Sequence, residues 1–69
     1  MNSNGLHIIS IDTFGGFTTV TLCTPNGNPL TKSKMVNSTA QKPGIIDQSI
    51  RGLLEDCALA SDTPLYFMD

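Results

Sequence analysis

The sequence is poor in charge, in aromatic residues and in long apolar runs. Charged residues make up 14% of the 69 residues and aromatic residues 6%, with no tryptophan. No apolar run exceeds four residues, as in Leu65–Met68, whereas a helix that crosses a bilayer needs about 20. These shortages argue against a membrane-spanning helix, and the 39% of apolar residues argues against a disordered chain.

The residue types that bind metals and phosphates are also scarce. His7 is the only histidine, Cys23 and Cys57 are the only cysteines, and a tetrahedral zinc site needs four ligands. A net charge of −2 does not suit a protein whose main task is to bind phosphate groups. We therefore expect no metal and no cofactor, and we rank nucleic acid low among the partners.

The N-terminus has no features of an export signal. Residues 1–5 contain neither a lysine or arginine nor an apolar run. We expect them to be a disordered tail on a single domain that covers residues 1–69, and we expect the protein to be cytoplasmic. Both thiols then stay reduced, whereas in a secreted form Cys23 and Cys57 would form one disulfide bridge.

Two segments near the N-terminus have the pattern of β-strands. Leu6–Asp12 is rich in β-branched residues, and Phe17–Thr24 alternates threonine with larger apolar residues. Gly15 and Gly16 lie between them and suit a two-residue hairpin turn, because both can adopt positive φ. The sequence therefore predicts an antiparallel hairpin.

The hairpin turn also predicts which residues face each other. It places four apolar side chains on one face in two opposed pairs, Ile9 with Leu22 and Ile11 with Val20. The opposite face should carry Ser10, Asp12, Thr19, Thr21 and Cys23. A slip of one residue would pair isoleucine with threonine and disperse the apolar surface, so the alternation supports this register.

A third strand should follow the hairpin. Pro25–Pro29 contains Asn-Gly, a strong turn signal. Folding back about it makes Leu30–Val36 a third strand, with Lys32 and Lys34 on the threonine-rich face. Residues 37–44 have the composition of a connecting loop.

From Ile45 onward the apolar residues recur with the period of a helix. One stripe consists of Ile46, Ile50, Leu53, Leu54 and Cys57. Pro43 fits the first turn of this helix, and Ser61–Pro64 should end it. Gly52 weakens a helix by about 1 kcal/mol relative to alanine, so we expect close packing there in compensation.

These elements predict a small α+β fold in the order β-β-β-α-β. A three-stranded antiparallel meander is followed by one helix, packed on one face of the sheet, and by a short fourth strand, Leu65–Met68. A right-handed crossover through the helix makes the fourth strand parallel to the third, and its free position lies beside the first. We therefore predict the sheet order 3-2-1-4.

Few residues are suited to catalysis. His7 shares a face with Ile9 and would need Cys23 or Cys57 within about 3 Å to act as a general base. Cys23 would be reactive if a cation such as Lys32 stabilised its thiolate. Packing at the border of the core is the better explanation for the histidine and for Cys57, so we expect no enzyme.

Binding surfaces are the stronger candidates. The polar side of the helix carries Asp47, Arg51, Glu55 and Asp56. We expect this charged helix face to contact an unidentified protein partner. Because chains below roughly 70–80 residues rarely reach comfortable stability alone, we also expect a homodimer, formed through strand three, strand four or the helix positions Ile45 and Leu59. In size and build the chain is similar to the small accessory proteins of bacteriophages and prophages.

Single-stranded nucleic acid is the alternative ligand. Lys32 and Lys34 project from the threonine-rich face, with Lys42 close in sequence and with Phe14 and Phe17 at the hairpin end. Sheets that combine aromatic side chains with basic residues bind unpaired bases in several protein classes. Four basic residues in the whole chain make a small phosphate footprint, so this function ranks second.

Overall fold

The computed structural model describes residues 6–68 as a four-stranded sheet with helices on one of its faces. The strands are β1 (His7–Phe14), β2 (Phe17–Cys23), β3 (Pro29–Val36) and β4 (Leu65–Met68), and the helices are α1 (Asn37–Ala40) and α2 (Ile45–Asp56). The tail expected at residues 1–5 lies outside this described range. Within it, neither helix combines the length and the apolar character that crossing a bilayer requires.

The sheet has the predicted strand order, β3-β2-β1-β4. β1 and β2 are antiparallel, β2 and β3 are antiparallel, and β1 and β4 are parallel. β4 therefore runs in the same direction as β3, as expected for a crossover through α2. The topology leaves β3 and β4 as the two edges of the sheet.

The hairpin register is also the predicted one. The opposed pairs include Ile9 with Leu22, Ile11 with Val20 and Phe14 with Phe17. Gly15 and Gly16 form the turn with φ values of 61° and 83°, which only glycine adopts without steric cost. The first strand runs two residues beyond the predicted Asp12, because pairing continues up to the turn.

Six side chains form the core between the sheet and α2. They are Ile9, Val20, Leu22, Ile50, Leu53 and Leu54, none more than 5% exposed. Ile11, Ile46 and Cys57, which the sequence also assigned to this layer, are partly buried at its border. The apolar stripe of α2 therefore packs on the hairpin, and burial of each large side chain contributes about 1.5–3 kcal/mol.

α2 differs from prediction in two details, one at its start and one at Gly52. Gly44, with a left-handed φ of 81°, is the N-cap, so Pro43 precedes the helix and does not occupy its first turn. The prediction of close packing at Gly52 is also wrong, since nothing lies within 4 Å of the position that a Cβ atom would take. The glycine therefore weakens the helix without a compensating contact.

α2 ends at Asp56, earlier than the pattern predicted, in a Schellman motif. The N–H of Ala58 donates to the carbonyl of Glu55 at 3.0 Å, and the N–H of Leu59 donates to that of Leu54 at 2.9 Å. Ala58 has the positive φ of this motif, 57°, which usually belongs to glycine. The turn brings Leu59 back against the core.

A one-turn helix, α1, occupies part of the predicted loop 37–44. The backbone N–H of Asn37 donates to the carbonyl of Gly16 at 3.1 Å, and the Thr18 hydroxyl donates to the side-chain oxygen of Asn37 at 2.7 Å. Thr18 is 7% exposed, so its hydroxyl depends on this bond. Contacts with the hairpin therefore position α1.

Candidate functional site

α2 covers one face of the sheet and leaves the other face open. Side chains alternate along a strand, so the residues on the open face follow from the register. The middle of this open face is polar, with Ser10, Asp12, Thr19, Thr21, Lys32 and Lys34 in adjacent rows. Large apolar side chains lie at the hairpin end of these rows and on β4, at one edge of the sheet.

The hairpin end of the open face is aromatic. Phe14 and Phe17 are an opposed pair, 86% and 40% exposed, and Val36 pairs with Phe17 from β3. The Lys34 ammonium lies 4.7 Å from the centroid of the Phe17 ring, a cation–π contact. Both phenylalanine rings are therefore accessible to a ligand instead of capping the core.

β4 forms a second exposed apolar region, at the opposite edge from β3. Tyr66 and Phe67 are each 55% exposed and Met68 is 47% exposed, while Leu65 packs at the border of the core. The sequence predicted this strand at an edge of the sheet but not the exposure of its individual side chains. A run of four apolar residues suits a buried strand as well as an exposed edge, so the sequence carries no signal that separates the two.

The four residues predicted for a protein contact on the helix are all exposed. They are Asp47, Arg51, Glu55 and Asp56, on the side of α2 away from the sheet. None of the exposed large apolar side chains among residues 6–68 belongs to α2. This charged helix face has the character of a surface in contact with water.

The residues predicted for nucleic acid are brought together only in part. Lys32, Lys34 and Phe17 lie on the open face. Lys42 lies between α1 and α2, next to Gln41, which lines a groove on the helix side of the sheet. The sheet therefore separates Lys42 from the other two lysines, while Phe14 adds a second ring to the group.

The candidate catalytic residues do not form a site. Cys23 lies on the predicted face of the sheet but is only 8% exposed, paired with Ile8 on one side and with Pro29 on the other, beside a register shift between β2 and β3. His7 belongs to the helix side of β1, so its ring and the Cys23 thiol point to opposite faces. The Nδ1 atom of His7 is buried and has no hydrogen-bond partner among the described residues.

Two pockets adjoin the sheet, and neither has the lining of a catalytic centre. A groove of about 320 Å³ lies between the hairpin, α1 and α2, and one of about 280 Å³ lies beside β3. Neither lining includes a carboxylate, a histidine or a cysteine. Among residues 6–68, no three metal-binding side chains come together.

The described residues thus present an open face with two apolar regions, a charged helix and two strand edges. No protein family matches the chain, and no curated protein or solved structure is significantly similar to it.

Proposed function

We propose that the chain is a small, non-enzymatic protein-interaction module that binds a protein partner and associates with itself. The distribution of exposed apolar side chains carries this proposal. Those within secondary structure all lie on strands: Phe14, Phe17, Leu30, Val36, Tyr66, Phe67 and Met68. Because contiguous exposed apolar patches mark interaction sites, the sheet is the main contact surface and the charged helix face a second one.

The small size of the core supports the proposal that the chain associates with itself. Six side chains are buried between sheet and helix, and a single core in a chain of this length rarely supplies more than about 3–5 kcal/mol. Association stabilises the folded state further by covering apolar area. We place the module in the cytoplasm, where Cys23 and Cys57, both free in the structure, stay reduced. Small accessory proteins of phages are the class whose size and build suggest such a role.

Affinity capture from the native host with matched variants tests the partner surface. Phe14→Ser changes the open face, and Glu55→Gln changes the charged helix face; both side chains are exposed, so both variants should fold. We expect a partner retained by the wild type and by Glu55→Gln to be lost from Phe14→Ser. If only Glu55→Gln loses the partner, the contact lies on the helix and not on the open face. If the wild type retains no partner and is strictly monomeric, the proposal is contradicted.

Binding of single-stranded nucleic acid is the second candidate. The observation in its favour is the group formed by Phe14, Phe17, Lys32 and Lys34 on the open face, where the Lys34 ammonium lies over the exposed Phe17 ring and Lys32 follows further along β3. Exposed rings stack on bases of any sequence, and lysines neutralise the phosphates between them. The small number of charges makes the expected binding weak and strongly dependent on salt.

Fluorescence anisotropy with a labelled single-stranded oligonucleotide tests this function. If both lysines contact phosphates, Lys32→Ala/Lys34→Ala should make the negative slope of log K against log salt shallower by about 1.4. Lys42→Ala is the matched control, because it removes one charge on the helix side and should change little. An equal loss of binding in the control, or no binding by the wild type at low salt, would exclude the site.

A further inference from the structure

The two edges of the sheet differ in how well they are protected from other strands. β3 begins with Pro29 and carries Lys32 and Lys34, and proline and lysine on an edge both oppose pairing. β4, in contrast, consists of Leu65–Met68, without a charged residue or a proline. Three of its four side chains are about half exposed. β4 is therefore the edge on which a further strand can add.

We propose that two copies of the chain pair their β4 strands in antiparallel orientation about a two-fold axis, which joins their sheets into one sheet of eight strands. This inference rests on the self-association part of the proposed function and names the strand responsible for it. A pair of β3 strands would instead bring Lys32 and Lys34 of both copies together, with like charges opposed. The uncharged β4 meets no such repulsion from a second copy.

The outer side of β4 has free backbone groups at defined positions. The N–H of His7 donates to the carbonyl of Pro64 at 3.2 Å, and His7 pairs with Leu65 in a parallel register. In a parallel ladder, a residue such as His7 forms hydrogen bonds with the residues before and after its partner. β1 therefore bonds to the backbone groups of Pro64, Tyr66 and Met68. The N–H and carbonyl groups of Leu65 and Phe67 therefore point away from the sheet.

These outward groups determine the register of the pair. In antiparallel strands, hydrogen-bonded residues exchange two bonds, so Leu65 of each copy pairs with Phe67 of the other and four backbone hydrogen bonds form. Tyr66 then faces Tyr66 of the second copy at the two-fold axis, in a pair without backbone bonds, where side chains are closest. All the residues that exchange these hydrogen bonds belong to β4.

The same register covers two of the three side chains that β4 exposes, Tyr66 and Phe67. On the helix side, Phe67 adjoins Leu65 of the second copy, and on the open face the two Tyr66 rings adjoin each other. Both are apolar or aromatic cross-strand pairs, the kind that stabilises sheets. A four-residue strand makes a small interface, so we expect a dimer that dissociates on dilution.

Amide hydrogen exchange, measured by NMR at several protein concentrations, tests the pairing residue by residue. The amides of Leu65 and Phe67 should become protected only at concentrations where sedimentation shows the dimer. The amides of Tyr66 and Met68, which face β1, should be protected at every concentration. This alternation with a period of two is specific to pairing through the free edge of β4.

Two variants test the same contact without disturbing the ladder between β1 and β4. Tyr66→Lys opposes two ammonium groups at the axis and removes the ring pair, so dimer affinity should fall about tenfold. Phe67→Pro removes an outward N–H that the monomer does not use and should abolish the dimer. Asn26→Lys is the matched control, because it adds the same charge at an exposed turn between β2 and β3, away from β4, and should leave the affinity unchanged. Circular dichroism verifies that each variant is folded.

The possible outcomes separate this inference from the broader proposal. A chain that sediments as a monomer at every concentration contradicts both β4 pairing and self-association. A dimer in which the Leu65 and Phe67 amides exchange freely contradicts only the β4 assignment. If the chain does not dimerise and these amides become protected only when another protein binds, then β4 pairs with that protein and not with a second copy.

Discussion

Replacement of Leu22 by alanine tests the hairpin register on which all the surface assignments depend. Leu22 is 0% exposed, lies on β2 and pairs with Ile9 under α2. Removing three carbons from a buried side chain costs about 2.4 kcal/mol in transfer free energy. The cavity that remains raises the total to about 3–4 kcal/mol. Since a single core in a chain of this length supplies about 3–5 kcal/mol, the variant should lose most of its stability.

Urea unfolding followed by far-UV circular dichroism measures this loss. With a slope of about 1 kcal/mol per molar urea, the midpoint should fall by about 3 M. Thr21→Ala is the matched control, since Thr21 is the preceding residue on the open face, and it should cost less than about 1 kcal/mol. A register shifted by one residue would bury Thr21 and expose Leu22. Equal costs, or a larger cost for Thr21→Ala, would therefore refute the register.

Three further substitutions test local features of the fold, each measured by the same urea titration. Asn37→Ala removes the acceptor of the buried Thr18 hydroxyl and should destabilise the fold by about 1–3 kcal/mol; an unchanged midpoint would show that this bond is unimportant. Gly52→Ala should stabilise by about 1 kcal/mol, because the new methyl group meets no atom within 4 Å; a loss of stability would reveal hidden crowding. Ala58→Gly should also stabilise, by about 1 kcal/mol, since it relieves the positive φ at the end of α2; a decrease would argue against the Schellman motif.

The features that the sequence predicted correctly are those encoded by neighbouring residues. Gly15 and Gly16 specify the turn, and the alternation of threonine with apolar residues specifies which side of β2 is buried. The two signals agree on one register, and the structure has it. The strand order followed from chain handedness, a rule that needs only the order of the elements.

The features that the sequence missed depend on contacts between distant residues. α1 has only four residues, too few for a periodic pattern, and its start is fixed by bonds to Gly16 and Thr18. Cys23 lies on the open face that its alternation predicts, yet it is only 8% exposed; it pairs with Pro29, beside a register shift between β2 and β3 that the sequence pattern does not show. The end of α2 was missed because alanine, not glycine, occupies the left-handed position.

The candidate contact surfaces were predictable in part. The sequence identified both edge strands, the charged helix face and the lysine-bearing sheet face. It did not reveal how far Phe14 and Tyr66 would be exposed, because that depends on the side chains that surround them at the hairpin end and at the edge of the sheet. Nor does composition show which backbone groups of β4 point outward, since that follows from its pairing with β1.

The central claim is that α2 covers one face of the sheet and leaves the other to a ligand or partner. Side-chain NOEs of the 69-residue chain in its dilute, monomeric state measure this division directly. We expect Ile9 and Leu22 to show contacts with Leu53 and Leu54 of α2, and Tyr66 to show contacts with Ile8 but with no residue of α2. NOEs from Tyr66 to α2, in place of those from Leu22, would contradict the account.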